Sequence, residues 1–223
     1  ADWISEYRDA TGGAVDGFTG RIDSIYGAGP IRHAHFTIGS NVIVNGDVAN
    51  YGDSIYYPYN PTPVTDRAAQ FKILGDHNVF NGNIDNRSLD SFLLINGTGS
   101  IFTTISNSNQ AELWISGVHS LGTITNASKV SITDAGTSTL TLINKASGET
   151  IISGSGNTGF NFDSITIEGG SIVIASEFGE DGINADITIQ KDGTLQISAK
   201  NYLNSTINNQ GTIDLDAVDM KVA

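Results

Sequence analysis

The sequence has no cysteine, one methionine, and only 11 lysine and arginine residues against 24 aspartate and glutamate residues. Without cysteine, disulfide bonds, thiolate zinc sites and thiol catalysis are excluded. The formal net charge of −13 argues against a nucleic-acid partner, because phosphate binding needs clustered lysine and arginine. No apolar run approaches the roughly 18 residues that a membrane-spanning segment requires. We therefore expect no nucleic-acid binding and no membrane insertion.

The sequence is rich instead in glycine, asparagine, serine, threonine and isoleucine, with 26 glycines in 223 residues. From about residue 71 onward, short packets alternate apolar with polar residues, as in Ile165-Thr-Ile167 and Leu195-Gln-Ile197. This period of two is typical of strands with one buried face. Glycine, asparagine, aspartate and serine fill the intervals and suit turns. The regular order of the apolar residues argues against a disordered chain.

Corresponding packets recur at intervals of about 20 residues, which predicts the architecture. Val130, Ile151 and Ile172 are spaced by 21 residues, and Ile187 and Ile207 by 20. Such a period predicts an all-β solenoid in which each strand pairs in parallel with its counterpart one coil away. The alternative is an antiparallel β-sandwich or barrel, favoured by hairpin signals such as Asn45-Gly46 that do not recur at every turn.

The repeats between residues 165 and 216 resemble a known family. They read Ile-Thr-Ile-Glu-Gly-Gly-Ser-Ile-Val-Ile, Asp-Gly-Thr-Leu-Gln-Ile and Gln-Gly-Thr-Ile-Asp-Leu. These coils resemble the passenger regions of bacterial autotransporters and related surface adhesins, over about residues 70–223, and the lack of cysteine suits that resemblance. It implies a right-handed parallel β-helix, secreted or displayed on the cell surface, that acts as a non-enzymatic adhesin or structural rod. Phage tail components that recognise host polysaccharide, and polysaccharide lyases or hydrolases, share this architecture and are the alternatives.

The N-terminal segment is expected to differ from the solenoid of residues 31–223, and the C-terminal end is expected to carry no cap of its own. We predict that residues 1–30 cap its first coil, because exposed strand edges invite aggregation, and that Asp2–Ala10 forms a short amphipathic helix. Residues 214–223 continue the alternation without a closing helix. We therefore expect another copy to cover the last coil by homotypic end-to-end stacking, unless the chain is a fragment of a longer solenoid.

A loop at residues 51–66 carries three of the four prolines and four of the seven tyrosines. Proline cannot donate to a β-ladder, so this segment is predicted to project from the body. Exposed tyrosines suit recognition because they bury a large area and keep a polar tip. The predicted binding residues for a glycan or protein partner are Tyr51, Tyr56, Tyr57 and Tyr59. The alternative is that these rings cover the first coils as a lid.

Two groups of residues are candidates for metal binding. His33 and His35 are two residues apart, hence on the same face of a strand. Aspartates that follow glycine in turns, namely Asp47, Asp53 and Asp76, could bind calcium, the only cofactor that the sequence suggests. The alternative is an exposed polar strand and a solvated acidic surface.

We predict no catalytic residues. Cleavage of a polysaccharide would require paired carboxylates, for which the candidates are Asp66, Asp76, Asp85 and Asp90. The abundant asparagine, serine and threonine are better explained by ladders of like side chains in successive coils.

Overall fold

The computed structural model describes residues 7–9, 18–21, 34–51, 69–87, 91–133, 140–154, 160–176, 182–198, 202–216 and 221–222. These residues form strands and turns and contain no helix, which confirms the all-β prediction. The strands are β1 Tyr7–Asp9, β2 Phe18–Arg21, β3 Ala34–Ile38, β4 Val42–Val44, β5 Val48–Tyr51, β6 Ala69–Ile73, β7 Val79–Arg87, β8 Ser91–Asn96, β9 Ile101–Ser108, β10 Glu112–Ser116, β11 Ser120–Asn126, β12 Lys129–Thr133, β13 Thr141–Asn144, β14 Glu149–Ser153, β15 Phe160–Ile174, β16 Ile183–Ile197, β17 Tyr202–Asn209, β18 Thr212–Leu215 and β19 Lys221–Val222. Within these ranges no helix is long and apolar enough to cross a membrane.

From β3 onward, each strand pairs in parallel with the corresponding strand of the next coil. The ladder that we call face A consists of β3, β6, β8, β10, β12, β14, residues 171–174 of β15, residues 194–197 of β16, and β18. One column in its register contains Ile38, Ile73, Ile95, Ile115, Ile132, Ile152, Ile174, Ile197 and Leu215. Face A alone therefore spans almost the whole described chain.

Two further faces complete each coil. Face B is short and pairs β4 with residues 79–80, 101–102 and 120–121. Face C consists of β5, β13 and residues 84–87, 104–108, 123–126, 164–167, 186–189 and 206–209. The chain runs from face A through B and C and back to A. The fold is therefore a parallel β-solenoid that fits a parallel β-helix, and the alternative of an antiparallel sandwich or barrel is wrong.

Alternate side chains of each strand point into a narrow core between the faces. In β8, Leu93 and Ile95 are fully buried, whereas the alternate residues Phe92 and Leu94 point outward. Stacking in register places similar residues on top of each other, and the rings of Phe80 and Phe102 are parallel at 5.1 Å between centroids. Each buried large side chain contributes about 1.5–3 kcal/mol, so every coil adds its own share of the core.

A ladder of buried asparagines forms the corner between faces C and A. It consists of Asn50, Asn86, Asn107, Asn126 and Asn144. Each Nδ2 donates to Oδ1 of the next asparagine, over distances from 2.7 to 3.1 Å. The predicted side-chain ladder is thus present, and it satisfies amides that would otherwise be costly to bury.

The same amides also bond to the start of the face A strand that comes second after each of them in the chain. Asn50 donates to the carbonyl of Phe92 at 3.0 Å, and Asn86 donates to that of Glu112 at 2.9 Å. Asn107 does the same at Lys129. The ladder therefore fixes the corner geometry coil after coil.

The described part of the N-terminal segment pairs with the first coil. Strand β1 is antiparallel to β4, and β2 is antiparallel to β3. Tyr7–Asp9 is thus a strand, and the predicted helix over residues 2–10 is wrong for these residues. The physical reason is that the open edge of the first coil offers unpaired backbone groups to an adjacent strand. The cap over residues 1–30 stays a prediction.

Candidate functional site

Most of the predicted binding residues lie outside the described part of the chain, namely Tyr56, Tyr57, Tyr59, His33 and Asp53. For two others only the backbone is described. Tyr51 ends β5 opposite Arg87, and His35 lies in β3 opposite Gln70. The roles assigned to all these residues stay predictions.

The two described aspartates among the calcium candidates form hydrogen bonds between turns. Asp47 Oδ1 accepts a bond from the backbone N–H of Asn83 at 2.8 Å. Asp76 Oδ1 accepts bonds from the N–H and the hydroxyl of Thr98, at 2.7 and 3.1 Å. The described ranges contain no group of three or more histidines and acidic residues placed to hold a metal ion. These two carboxylates stabilise turns of successive coils, and calcium binding stays a prediction.

Of the carboxylates considered for polysaccharide cleavage, Asp66 and Asp90 lie outside the described residues. Asp85 points outward from face C and forms an ion pair with Arg87 at 3.3 Å. Asp76 belongs to the turn described above. The structure thus gives Asp76 and Asp85 roles within the scaffold.

The outer surface of face A carries an aromatic patch, which we define as Phe92, Leu94 and Trp114. Trp114 is 51% exposed, although it lies in the middle of strand β10. Leu94 is its partner in the register with β8. The ring of Phe92 meets the indole edge-on, with centroids 5.4 Å apart and planes at 85°. The indole is thereby supported from one side and open to solvent.

Polar and charged side chains surround the aromatic patch. Lys72 is the neighbour of Leu94 one coil earlier, and Ser131 is the neighbour of Trp114 one coil later. Glu112 is in register with Phe92. The column of outward residues that contains Trp114 and Ser131 continues through Ile151, which is 39% exposed, to Val173. The patch is an apolar platform bordered by hydrogen-bonding groups.

The aromatic patch rests on a rigid base. Behind it, Asn50 and Asn86 of the ladder bond to the carbonyls of Phe92 and Glu112. Leu93 and Leu113, on the inner side of the same strands, are fully buried. A surface that is already ordered loses little conformational entropy when it binds a partner.

The sequence reasoning missed this site, although a signal was present. Leu93 and Leu113 are 20 residues apart and match as inward residues of successive coils. Period-two alternation then requires their neighbours Phe92, Leu94 and Trp114 to point outward together.

The fold and the patch define a parallel β-solenoid with an exposed aromatic face. Comparison with known proteins adds no relative: no family matches the chain, and neither a curated protein nor a solved structure matches it.

Proposed function

We propose that the protein is a non-enzymatic, extracellular adhesive rod that binds a partner through the aromatic patch on face A. The observation that carries the proposal is the half-exposed indole of Trp114 on a preordered strand surface. Large exposed aromatic side chains are enriched at binding sites, where one ring supplies a large contact area at small entropic cost. The acidic, cysteine-free composition and the resemblance to surface adhesins support a secreted or cell-surface location.

A glycan is the partner that the surroundings of Trp114 favour over a protein. A sugar ring has an apolar face that can stack on the indole and hydroxyl groups around its rim. Lys72, Glu112 and Ser131 border the platform and offer both donors and acceptors for such hydroxyls. The tyrosines of residues 51–66 would extend the same binding role.

End-to-end stacking of copies remains part of the proposal. Leu215 continues the column of Ile197 but is 47% exposed, and Ile207 and Ile213 are only partly buried. A second copy that covered them would bury apolar surface. Sedimentation at increasing concentration tests this part, and a strictly monomeric profile would contradict it.

The binding proposal is tested on a glycan array with the wild type and three variants. Trp114→Ala should weaken binding about 30-fold or more, the effect of losing a hot-spot residue worth about 2 kcal/mol. Ile101→Ala is the matched control, because Ile101 is equally exposed, at 49%, but on face B. A combined Tyr56→Ala and Tyr57→Ala variant tests the loop separately. Equal binding by wild type and Trp114→Ala, or equal loss in the control, would contradict the assignment.

A further inference from the structure

The outer surface of face C carries two columns of hydroxyl-bearing side chains in register, which we call the hydroxyl array. The first column contains Thr104, Thr123, Thr141 and Ser164. The second contains Ser106, Thr125, Thr166 and Thr188, with Ile143 between Thr125 and Thr166. The coils of Thr104, Thr123 and Ser164 contribute one hydroxyl to each column, two positions apart along the strand, whereas the coils of Thr141 and Thr188 contribute one hydroxyl in all. The array therefore repeats in two directions.

The strand geometry sets both repeats of the array. Neighbouring strands lie about 4.7–4.9 Å apart, and alternate residues of one strand lie about 6.6–6.8 Å apart. Threonine is branched at Cβ, which restricts its side chain to few rotamers. The buried residues Ile105, Ile124 and Leu142 lie directly behind the array and hold its strands to the core. The hydroxyl positions are therefore fixed before any ligand arrives.

Several hydroxyls of the array have no hydrogen-bond partner among the residues that the structure describes. Thr104, Thr123, Thr125, Thr141 and Thr166 are all partly exposed, and in the described part of the chain none of them forms a side-chain hydrogen bond. Threonines elsewhere behave differently. Thr103 donates to the carbonyl of Phe80 at 3.0 Å, and Thr150 donates to Asn144 Oδ1 at 3.0 Å. The array thus presents donors and acceptors to solvent in a regular pattern.

The hydroxyl array is neutral although the chain as a whole carries a charge of −13. Acidic residues occur in the two columns only at their ends, where Asp85 precedes Ser106 and Asp186 follows Ser164. Of the charged residues beside its columns, Lys145 and Glu168 neutralise each other in an ion pair of 2.7 Å, and Asp163 is exposed next to Ser164. A neutral surface on an acidic protein fits an uncharged ligand better than a cationic or an anionic one.

One hydroxyl contributes little to binding, because water competes for the same hydrogen bond. A ligand that engages many hydroxyls at once must itself be periodic in two dimensions, and then the small contributions act together. We propose that the hydroxyl array binds the surface of an ice crystal. Ice is uncharged, repeats in two dimensions, and offers a donor or acceptor at every lattice position. A neutral polysaccharide is less favoured here, because no member of the array is an aromatic ring on which sugars could stack.

Ice-affinity partitioning tests this proposal without depending on glycan binding. A dilute protein solution is frozen slowly onto a cold surface, and the protein fraction in the ice is measured. The variant Thr123→Lys with Thr141→Lys changes two partners in register on face C. The matched control, Thr194→Lys with Thr212→Lys, changes two partners in register on the outer side of face A and alters the net charge equally. Circular dichroism verifies that each protein is folded.

We expect the wild type and the face A control to enter the ice, and the face C variant to lose about tenfold or more of its incorporation. A second variant, Thr166→Lys with Thr188→Lys, repeats the test one and two coils further along, should the first fail to fold. Wild-type protein that stays in the liquid overturns the proposal, as does equal incorporation of all variants or equal loss in the control. Binding to microcrystalline cellulose without binding to ice would assign the array to a neutral polysaccharide instead.

Discussion

At the scale of single residues, the asparagine ladder shows how a polar side chain can occupy a core position. Asn107 is 1% exposed. Its Nδ2 donates to Asn126 Oδ1 and to the carbonyls of Ala111 and Lys129, and its Oδ1 accepts a bond from Asn86. Removing this one amide leaves several buried groups without a partner. Such a residue stabilises the fold through the groups that it satisfies rather than through its own burial.

We therefore predict that Asn107→Ala lowers the free energy of unfolding by about 3 kcal/mol, because each buried group left unsatisfied costs about 1–3 kcal/mol. Urea unfolding followed by circular dichroism measures the change. Asn208→Ala is the control, since Asn208 is exposed on face C and should change stability by no more than about 0.5 kcal/mol. Similar effects in the two variants would show that the ladder does not stabilise the corner.

His119 adds a pH dependence to the core. Its ring is 2% exposed, stacks edge-on against Phe102 at 5.8 Å, and places Nε2 3.0 Å from the carbonyl of Ser116. Burial lowers the pKa of His119 below its ordinary value of 6.5, and the Ser116 carbonyl and the Asp76 carboxylate oppose this effect only in part. The neutral form is thus the one that fits the fold.

The sign of the resulting prediction follows from the lowered pKa. The unfolded chain takes up a proton at the ordinary pKa, whereas folded His119 resists it, so stability is full above pH 6.5 and falls as the pH drops below that value. Urea unfolding between pH 7.5 and 5.5 measures the loss. His119→Phe keeps an aromatic ring against Phe102 without a titrating group and should show a shallower slope. An unchanged slope in this variant would assign the pH dependence to other groups.

At the scale of elements, the turns between faces A and B stack as closely as the strands. Gly75, Gly97 and Gly117 follow one another at this corner. A Cβ on Gly117 would lie 1.9 Å from the carbonyl oxygen of Gly97, and its φ of +93° is one that other residues rarely adopt. The corner therefore excludes side chains for two separate reasons, conformation and contact with the previous coil.

Two glycine substitutions separate these reasons. Gly46 has a similar φ of +99°, but a Cβ added there would meet nothing within 4 Å. We predict that Gly46→Ala lowers the free energy of unfolding by about 1–2 kcal/mol through conformation alone. Gly117→Ala should cost clearly more, because its Cβ also pushes the coils apart. Thermal and urea unfolding of the two variants measure the difference. Equal losses would mean that the turn stacking relaxes without cost.

How far the elements could be predicted depends on which residues mark the core. The interval from Leu93 to Leu113 gave the true register, as did that from Ile187 to Ile207. Alignment of Ile151 with Val130 was wrong by one residue, since Val130 pairs with Thr150. Thr150 is fully buried and donates its hydroxyl to Asn144, whereas Ile151 points outward. Hydropathy could not reveal a buried polar residue whose partner belongs to another strand.

The candidate sites show the same limit. Alternation alone turns Trp114 outward, so the aromatic patch was predictable once Leu93 and Leu113 were aligned. Ladders of like polar side chains were predicted, but the particular asparagines that form one were not, because asparagine is frequent throughout the chain. The hydroxyl array required the register of face C, which only the folded coils provide.

At the scale of the whole molecule, the solenoid has no single centre. Each coil contacts the coil before it and the coil after it, so the effect of a substitution should spread to neighbours and fade with distance. In a small two-state domain, by contrast, one core substitution lowers a free energy of unfolding that all parts of the domain share. The position of a substitution along the rod should therefore matter as much as its burial.

Leu195→Ala tests this property. Leu195 is fully buried in face A and pairs with Ile172 on one side and Ile213 on the other. We predict a loss of about 2–5 kcal/mol in the coils that contact it, because the truncation leaves a cavity. Hydrogen exchange read by mass spectrometry should become faster in β15–β18 and stay unchanged in β8–β10, several coils away. Leu113→Ala is the reciprocal control and should speed exchange in β8–β12 instead. Uniform acceleration along the chain in both variants would show that the rod unfolds as one cooperative unit.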